Sequence, residues 1–128
     1  MEFHYTVTST KPFDQALNDL EANLAGAKFG VLWSLDVPAK LKEKGVEFNQ
    51  PYRILEVCNP AKAKQALETD PKVGFFLPCK LTVYSKDGKT EMGMLRPTMV
   101  MDVVGNAGLK EFTAEVDKTL KDVLDRTR

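Results

Sequence analysis

The chain has 128 residues, 43% of them hydrophobic and 28% charged, which is the composition and length of one soluble globular domain. Eighteen Lys and Arg balance eighteen Asp and Glu, so the net charge is zero and no basic surface for nucleic acid is indicated. The first residues have neither the basic nor the apolar region of a signal peptide, so no secretory signal is expected, and no apolar run approaches the roughly 18 residues of a membrane span. We therefore expect one cytoplasmic domain, residues 1–128, that binds neither nucleic acid nor membranes.

The first third of the chain predicts a strand, a helix and a second strand. Residues 2–8 alternate between apolar and polar side chains, the pattern of a half-buried strand. Apolar residues at helical spacing follow, with Thr10 and Pro12 marking the start of the helix and Gly26 its end. Residues 29–37 alternate again, and their odd-numbered side chains are expected in the core.

The middle of the chain predicts a strand between two short helices. Pro38 opens the first helix, and Gly45 takes a left-handed conformation at its end. Residues 52–58 form a strand. Asn59 caps the next helix, which ends before Asp70 because a proline follows that residue.

Two strands joined by a tight turn are predicted next. Residues 73–85 are expected to be extended, with regular pairing from Cys79 onward because Pro78 cannot donate a hydrogen bond to a neighbouring strand. The Asp-Gly pair at 87–88 favours a hairpin turn, since both residues tolerate a positive φ, and residues 90–95 form its second strand.

The last third of the chain completes an α+β fold. Residues 98–104 predict an apolar extended link, and residues 106–126 predict the longest helix, with Asn106 as its cap. Strands joined by a hairpin favour a mostly antiparallel, curved sheet with the first and last helices packed on one face. The other face stays open for a ligand or a second subunit, and we expect apolar side chains there: Phe76, Tyr84 and Leu32.

Four short segments resemble a known family. They are Phe29-Gly30-Val31-Leu32, Tyr52-Arg53-Ile54-Leu55-Glu56-Val57-Cys58-Asn59-Pro60, Ala66-Leu67-Glu68 and Leu77-Pro78-Cys79. Together they resemble the domain of unknown function 302 family over about residues 29–97. The resemblance implies an α+β fold similar to the TATA-binding-protein repeat and a homodimer. It does not imply DNA binding, because similarity of fold is not a site, and the family has no established reaction.

Two cysteines are the first candidates for chemistry. Cys58 ends a strand just before a capped helix, where the helix dipole can lower a thiol pKa, and Cys79 begins the next strand. If these strands pair antiparallel, the two sulfurs can approach each other. Small buried hydrophobes, a ligand site and reversible redox chemistry all stay open. No metal site is predicted, because the chain lacks a Cys-x-x-Cys motif and His4 is its single histidine.

Two charged residues on the third strand are further candidates. Arg53 and Glu56 are three residues apart and therefore point to opposite faces of the sheet. One of the two charged side chains must therefore reach the edge of the sheet or contact a partner group, because burial of an unpaired charge costs free energy. Glu56 shares its face with Cys58, so it could serve as a general base or form an ion pair across a dimer interface.

Three functions follow as alternatives, because the sequence carries no phosphate-binding, hydrolase, zinc-protease or calcium-loop motif. The first is a non-enzymatic homodimeric module that binds a small molecule or ion on the open sheet face, with methionines in its lining. The second is a thiol-dependent enzyme or redox sensor, and the third is a structural or protein-interaction subunit. No cofactor, ligand or reaction is identified. The candidate site residues are Cys58, Cys79, Glu56, Arg53, Phe76 and Tyr84.

Overall fold

A computed structural model describes residues 2–128 as an antiparallel sheet of five strands with five α-helices. The strands are β1 (His4–Ser9), β2 (Gly30–Asp36), β3 (Tyr52–Cys58), β4 (Cys79–Lys86) and β5 (Lys89–Leu95). The helices are α1 (Phe13–Gly26), α2 (Val37–Glu43), α3 (Pro60–Thr69), α4 (Thr98–Val104) and α5 (Lys110–Thr127). The strand order is β1-β5-β4-β3-β2, and every neighbouring pair is antiparallel. The predicted α+β class is confirmed.

One face of the sheet, the covered face, packs against α1 and α5, as predicted. Side chains alternate along each strand, so every second residue enters this core. The strands contribute Val7, Leu55, Val57, Leu81, Val83, Met92 and Met94, and the helices contribute Leu17, Leu20, Leu24, Val116, Leu120, Val123 and Leu124. The reverse side of the sheet, the open face, is not covered by these helices. The side chains of Met92 and Met94 therefore point into this core, contrary to the expected methionine lining of the open face, although Met94 also borders the hollow around Gly93.

A β-bulge in β2 reverses the alternation that the sequence predicted. Val31 pairs with Val57 and packs against the core, but the register shifts between Val31 and Trp33. Trp33 then pairs with Glu56, and its side chain lies on the open face with 49% exposed. The extra residue of a bulge changes which side chains point inward. The prediction that all odd-numbered residues of this strand are core residues is therefore wrong after Val31.

A second, smaller core lies beyond one end of the sheet. Ala66 of α3, Val73 and Leu109 are buried there, and Phe112 of α5 packs against both cores. Residues 71–75 form a 3-10 turn that begins at Asp70, whose side chain accepts a hydrogen bond from a backbone N–H. The prediction that the chain is extended from residue 73 is thus wrong up to Pro78, whereas the start of regular pairing at Cys79 is confirmed.

Two other details differ from the sequence expectations. Residues 98–104 are helical rather than extended, and Gly105 ends this helix with a φ of 72°. Thr10 does not cap α1, since Pro12 precedes the helix and no side chain caps it. Asn59 does cap α3, and Asn106 caps a 3-10 turn that leads into α5.

Gly93 makes a close approach possible at the middle of the open face. It pairs with Thr6 on one side and Thr82 on the other. A Cβ atom at this position would lie 2.6 Å from Thr6 Oγ1 and 3.1 Å from the Tyr5 carbonyl oxygen. Glycine therefore leaves a depression between β1 and β4.

Gly93→Ala should reduce the free energy of unfolding by about 1–3 kcal/mol, because the backbone oxygen of Tyr5 cannot move aside without disturbing the ladder. Urea unfolding measures this. Gly26→Ala is the matched control, since its Cβ would meet nothing within 4 Å, and it should keep or raise stability. Wild-type stability of Gly93→Ala would contradict the close packing.

Candidate functional site

A cleft at one end of the sheet, the end cleft, is a partly enclosed concave surface. It has a volume of about 310 Å³ and lies where β3 ends, β4 begins and β5 ends. Its walls come from Val73 and residues 75–80, from residues 95–97 and from Phe112 and Thr113 of α5, with Glu56 at one side. The cleft thus lies at the junction of the large core and the small core.

The walls of the end cleft are mainly apolar. Phe76 and Leu77 also pack against the small core, which fixes their backbone. Phe112 packs against both the large core and the small core. Phe75, at the end of the 3-10 turn, is 87% exposed and contributes a phenyl ring to the rim. An exposed phenyl ring beside a cleft is available for contact with a ligand.

One ion pair in the cleft links two neighbouring strands. Glu56 of β3 is directly opposite Lys80 of β4, and the Lys80 Nζ lies 3.7 Å from Glu56 Oε1. Both side chains point to the open-face side of the strands, and the lysine is 52% exposed. Within the single chain, the partner of Glu56 is therefore Lys80.

A second charged group in the cleft is held rigidly. Arg96 donates from Nη2 and Nε to the two carboxylate oxygens of Asp117, at 2.9 and 3.2 Å. Thr98 donates to the same carboxylate at 3.1 Å. Burial acts to raise the pKa of Asp117, but the hydrogen bonds from Arg96 and Thr98 outweigh it and keep that pKa below its usual value. A bidentate pair of this kind fixes the plane of the guanidinium group.

The two cysteines lie on opposite faces of the sheet. Val57 pairs with Cys79, so Cys79 shares the covered face and packs against the large core, while Cys58 lies one residue further on. Burial raises the pKa of Cys79 to about 11, and the nearby Cys58 adds to this. Burial also raises the pKa of Cys58, so the helix that begins after it does not produce a reactive thiolate.

Cys79 should therefore be a poor nucleophile at neutral pH. In a Cys58→Ser variant, we expect alkylation of Cys79 by iodoacetamide at pH 8 to be at least about tenfold slower in the folded chain than in urea, because burial, the larger cause, still raises the pKa of Cys79 and lowers its thiolate fraction. The folded rate should rise as the pH approaches 11. In the Cys79→Ser variant, the same comparison gives the alkylation rate of Cys58 in the folded chain and in urea. If folded Cys79 reacts as fast as the unfolded thiol, the result would contradict this expectation and would support a thiol-dependent enzyme or redox sensor.

The remaining candidates lie away from the end cleft. Tyr84 lies on the open face, stacks on Tyr52 with ring centroids 5.1 Å apart, and donates a 2.6 Å hydrogen bond to Glu91. That bond is the main cause that raises the pKa of Tyr84 to about 12. Arg53 lies on the covered side of β3, where it donates to Ser34 Oγ at 3.1 Å and lies 3.7 Å from Asp36 Oδ2. The structure thus gathers Glu56, Phe76 and Cys79, and separates Tyr84, Arg53 and Cys58 from them. Phe76 is not on the sheet, contrary to the expectation.

The open face carries a second, shallower hollow of about 380 Å³ around Gly93. Thr6, Thr82 and Tyr84 border this open-face hollow, and Lys80 and Leu95 line both it and the end cleft. The two concave surfaces are therefore neighbours that share two side chains.

Within residues 2–128, no group of three or more His, Cys, Asp or Glu is placed to hold a metal ion. No helix in that range combines the length and the apolar character needed to cross a bilayer.

Comparison with known proteins gives the family of the chain. The model of the family described as domain of unknown function DUF302 matches residues 5–127. The chain belongs to the DUF302 family. It is similar over its whole length to the crystal structure of an uncharacterized conserved DUF302 protein from Bacillus stearothermophilus, with 44% identity, a TM-score of 0.95 and complete coverage of both chains. No curated protein matches the chain.

Two cleft residues of this DUF302 domain were not predicted from the sequence. Lys80 follows Cys79 at the start of β4, and Arg96 follows the last residue of β5. Charged residues at strand ends are usually exposed to solvent, so their position in the sequence does not by itself indicate a functional site. The Arg-Pro break after a strand, at 96–97, is the feature that could have drawn attention to Arg96.

Proposed function

We propose that this DUF302 domain is a non-enzymatic module that binds a small molecule in the end cleft. The observation that carries this proposal is the convergence of apolar walls and a few fixed polar groups in one concave site. Its volume of about 310 Å³ is at the lower end of the range for ligand pockets, roughly 300–1,000 Å³. Binding sites for small molecules typically combine these features.

The position of this site differs from the open-face pocket that the sequence suggested. The open-face hollow is wider and less enclosed than the end cleft, and its centre is formed by the threonines around Gly93. We assign the open face instead to a second copy of the chain. The proposed module is therefore a homodimer with one end cleft per subunit.

Exposed apolar side chains support the assignment of the open face to a second copy. Trp33 and Leu32 are exposed on the edge strand β2, and Phe3 and Leu95 are exposed near the opposite edge, beside β1. A second copy that spans the face would cover both groups of apolar side chains. Glu91, a charged group of the face away from the end cleft, already has a partner within the chain, so a second copy can cover it without leaving it unpaired.

The thiol alternative has less support than binding. Both thiol pKa values are raised, and the two sulfurs lie on opposite faces of the sheet. Glu56 is paired with Lys80 rather than with Cys58. The cysteines are free, which fits a reducing compartment, and the cytoplasm is part of the proposal for that reason.

A neutral probe tests the proposed site. We expect 2-phenylethanol to shift the amide NMR signals of the non-proline residues within 75–80, 95–97 and 112–113. Phe75→Ala should weaken binding about fivefold, since one aromatic contact is worth about 1 kcal/mol, and should leave stability nearly unchanged because Phe75 is exposed. Phe3→Ala is the matched control, as it removes an exposed phenyl ring that borders only the open-face hollow.

Each outcome of this titration has a definite meaning. Loss of binding in Phe75→Ala, with Phe3→Ala unaffected, supports the end cleft. The reverse pattern would return the ligand site to the open face. Absence of any localised shift at millimolar probe would leave a structural or protein-interaction subunit as the better description.

A further inference from the structure

We propose that the end cleft selects small organic monoanions, namely carboxylic acids with an aryl or branched alkyl body. This inference deepens the proposed binding function and rests on it. It follows from three properties of the cleft: the free donors of its two cations, the orientation of Arg96, and the size and polarity of its walls.

The charged side chains that line the cleft are two cations and one anion. Lys80 and Arg96 are positive, and Glu56 is negative. The lysine and the glutamate form only a loose ion pair, with 3.7 Å between Nζ and Oε1, and the lysine side chain is half exposed. An ammonium group carries three donors, so Lys80 can bind a ligand carboxylate while it stays close to Glu56.

Arg96 offers a donor whose direction is already fixed. Its Nε and Nη2 atoms are bound to Asp117, and the Nη1 group takes no part in that bidentate pair. Because Asp117 is buried and also accepts from Thr98, the guanidinium plane is set before any ligand arrives. A preoriented donor loses little entropy on binding, and guanidinium geometry suits a carboxylate oxygen.

The charge balance leaves room for at most a single negative charge on the ligand. Glu56 and Asp117 already balance Lys80 and Arg96, so a ligand anion is held by the free donors of these two cations and not by a net positive charge. A phosphate monoester, close to a dianion at neutral pH, would meet repulsion from Glu56 without a third cation to offset it. A cationic ligand would compete with Lys80 for Glu56 and would face Arg96.

The walls define the rest of the ligand. Phe76, Leu77, Pro78 and Phe112 present apolar surface to the interior of the cleft. A volume of about 310 Å³ accommodates a body such as a phenyl ring with a short chain, and it is small for a nucleotide or a fatty acid. The ligand class is thus a compact, apolar acid.

The test compares three probes that share one body and differ in charge: 4-phenylbutanoate, 4-phenylbutanamide and 4-phenylbutylamine. We expect calorimetry at pH 7 to give the carboxylate an affinity at least tenfold above that of the amide, with the amine weakest. A charge-assisted hydrogen bond of roughly 1.5 kcal/mol corresponds to that factor.

Two variants locate the source of this preference. Lys80→Gln should lower the affinity for the carboxylate about tenfold and leave that for the amide unchanged, whereas Glu56→Gln should raise the affinity for the carboxylate. Lys86→Gln is the matched control, because Lys86 lies on the same strand and the same face but outside both concave surfaces. It should leave both affinities unchanged.

Failure of this inference can be told apart from failure of the proposed function. If the amide binds in the cleft as tightly as the carboxylate, the proposed binding function is supported but the proposed class of ligand is wrong. An equal loss in Lys86→Gln and Lys80→Gln would mean long-range attraction rather than contact, which also overturns the class. If no probe binds in the cleft, the binding function itself fails.

Discussion

The period-two alternation of side chains along five antiparallel strands is the constraint on which the rest of the structure depends. It gives the sheet an apolar face that α1 and α5 cover, and it places the alternate side chains on a face that they do not cover. The end cleft is a consequence of the same arrangement. The helices cover the large core, a separate small core closes the end of the sheet, and the two meet at Phe112 with a gap between them.

The register at the end of the sheet determines which chemistry this gap contains. Pairing of Glu56 with Lys80 and of Val57 with Cys79 puts the ion pair and the thiol on opposite faces at one level of the sheet. The raised pKa values of the two cysteines favour protonated thiols, whereas Lys80 and Arg96 place cationic side chains beside apolar walls. A site with fixed charges and no activated nucleophile is suited to binding rather than to covalent catalysis.

The sequence predicted the regular parts of the fold better than the irregular parts. Strands β3 and β5, the end of α1 at Gly26 and the Asp87-Gly88 turn carry strong local signals, and the structure has them where the signals are. Residues 98–104 are too few for a helical period to be distinguished from an apolar strand. The bulge at Trp33 has no sequence signature of its own, because it depends on how β2 pairs with β3. Within the site, Glu56, Phe76 and Cys79 were predicted as candidates, but their meeting at one cleft depends on a turn that the sequence pattern did not indicate.

The fluorescence of Trp33, the single tryptophan of the chain, tests most directly whether the open face is covered by a second copy. In one subunit its side chain is about half exposed on that face. At concentrations where light scattering gives twice the mass of one chain, we predict a blue-shifted emission and strong protection from acrylamide quenching, both lost as the dimer dissociates on dilution. A red-shifted, freely quenched emission at every concentration would contradict the account, whatever the mass of the particle.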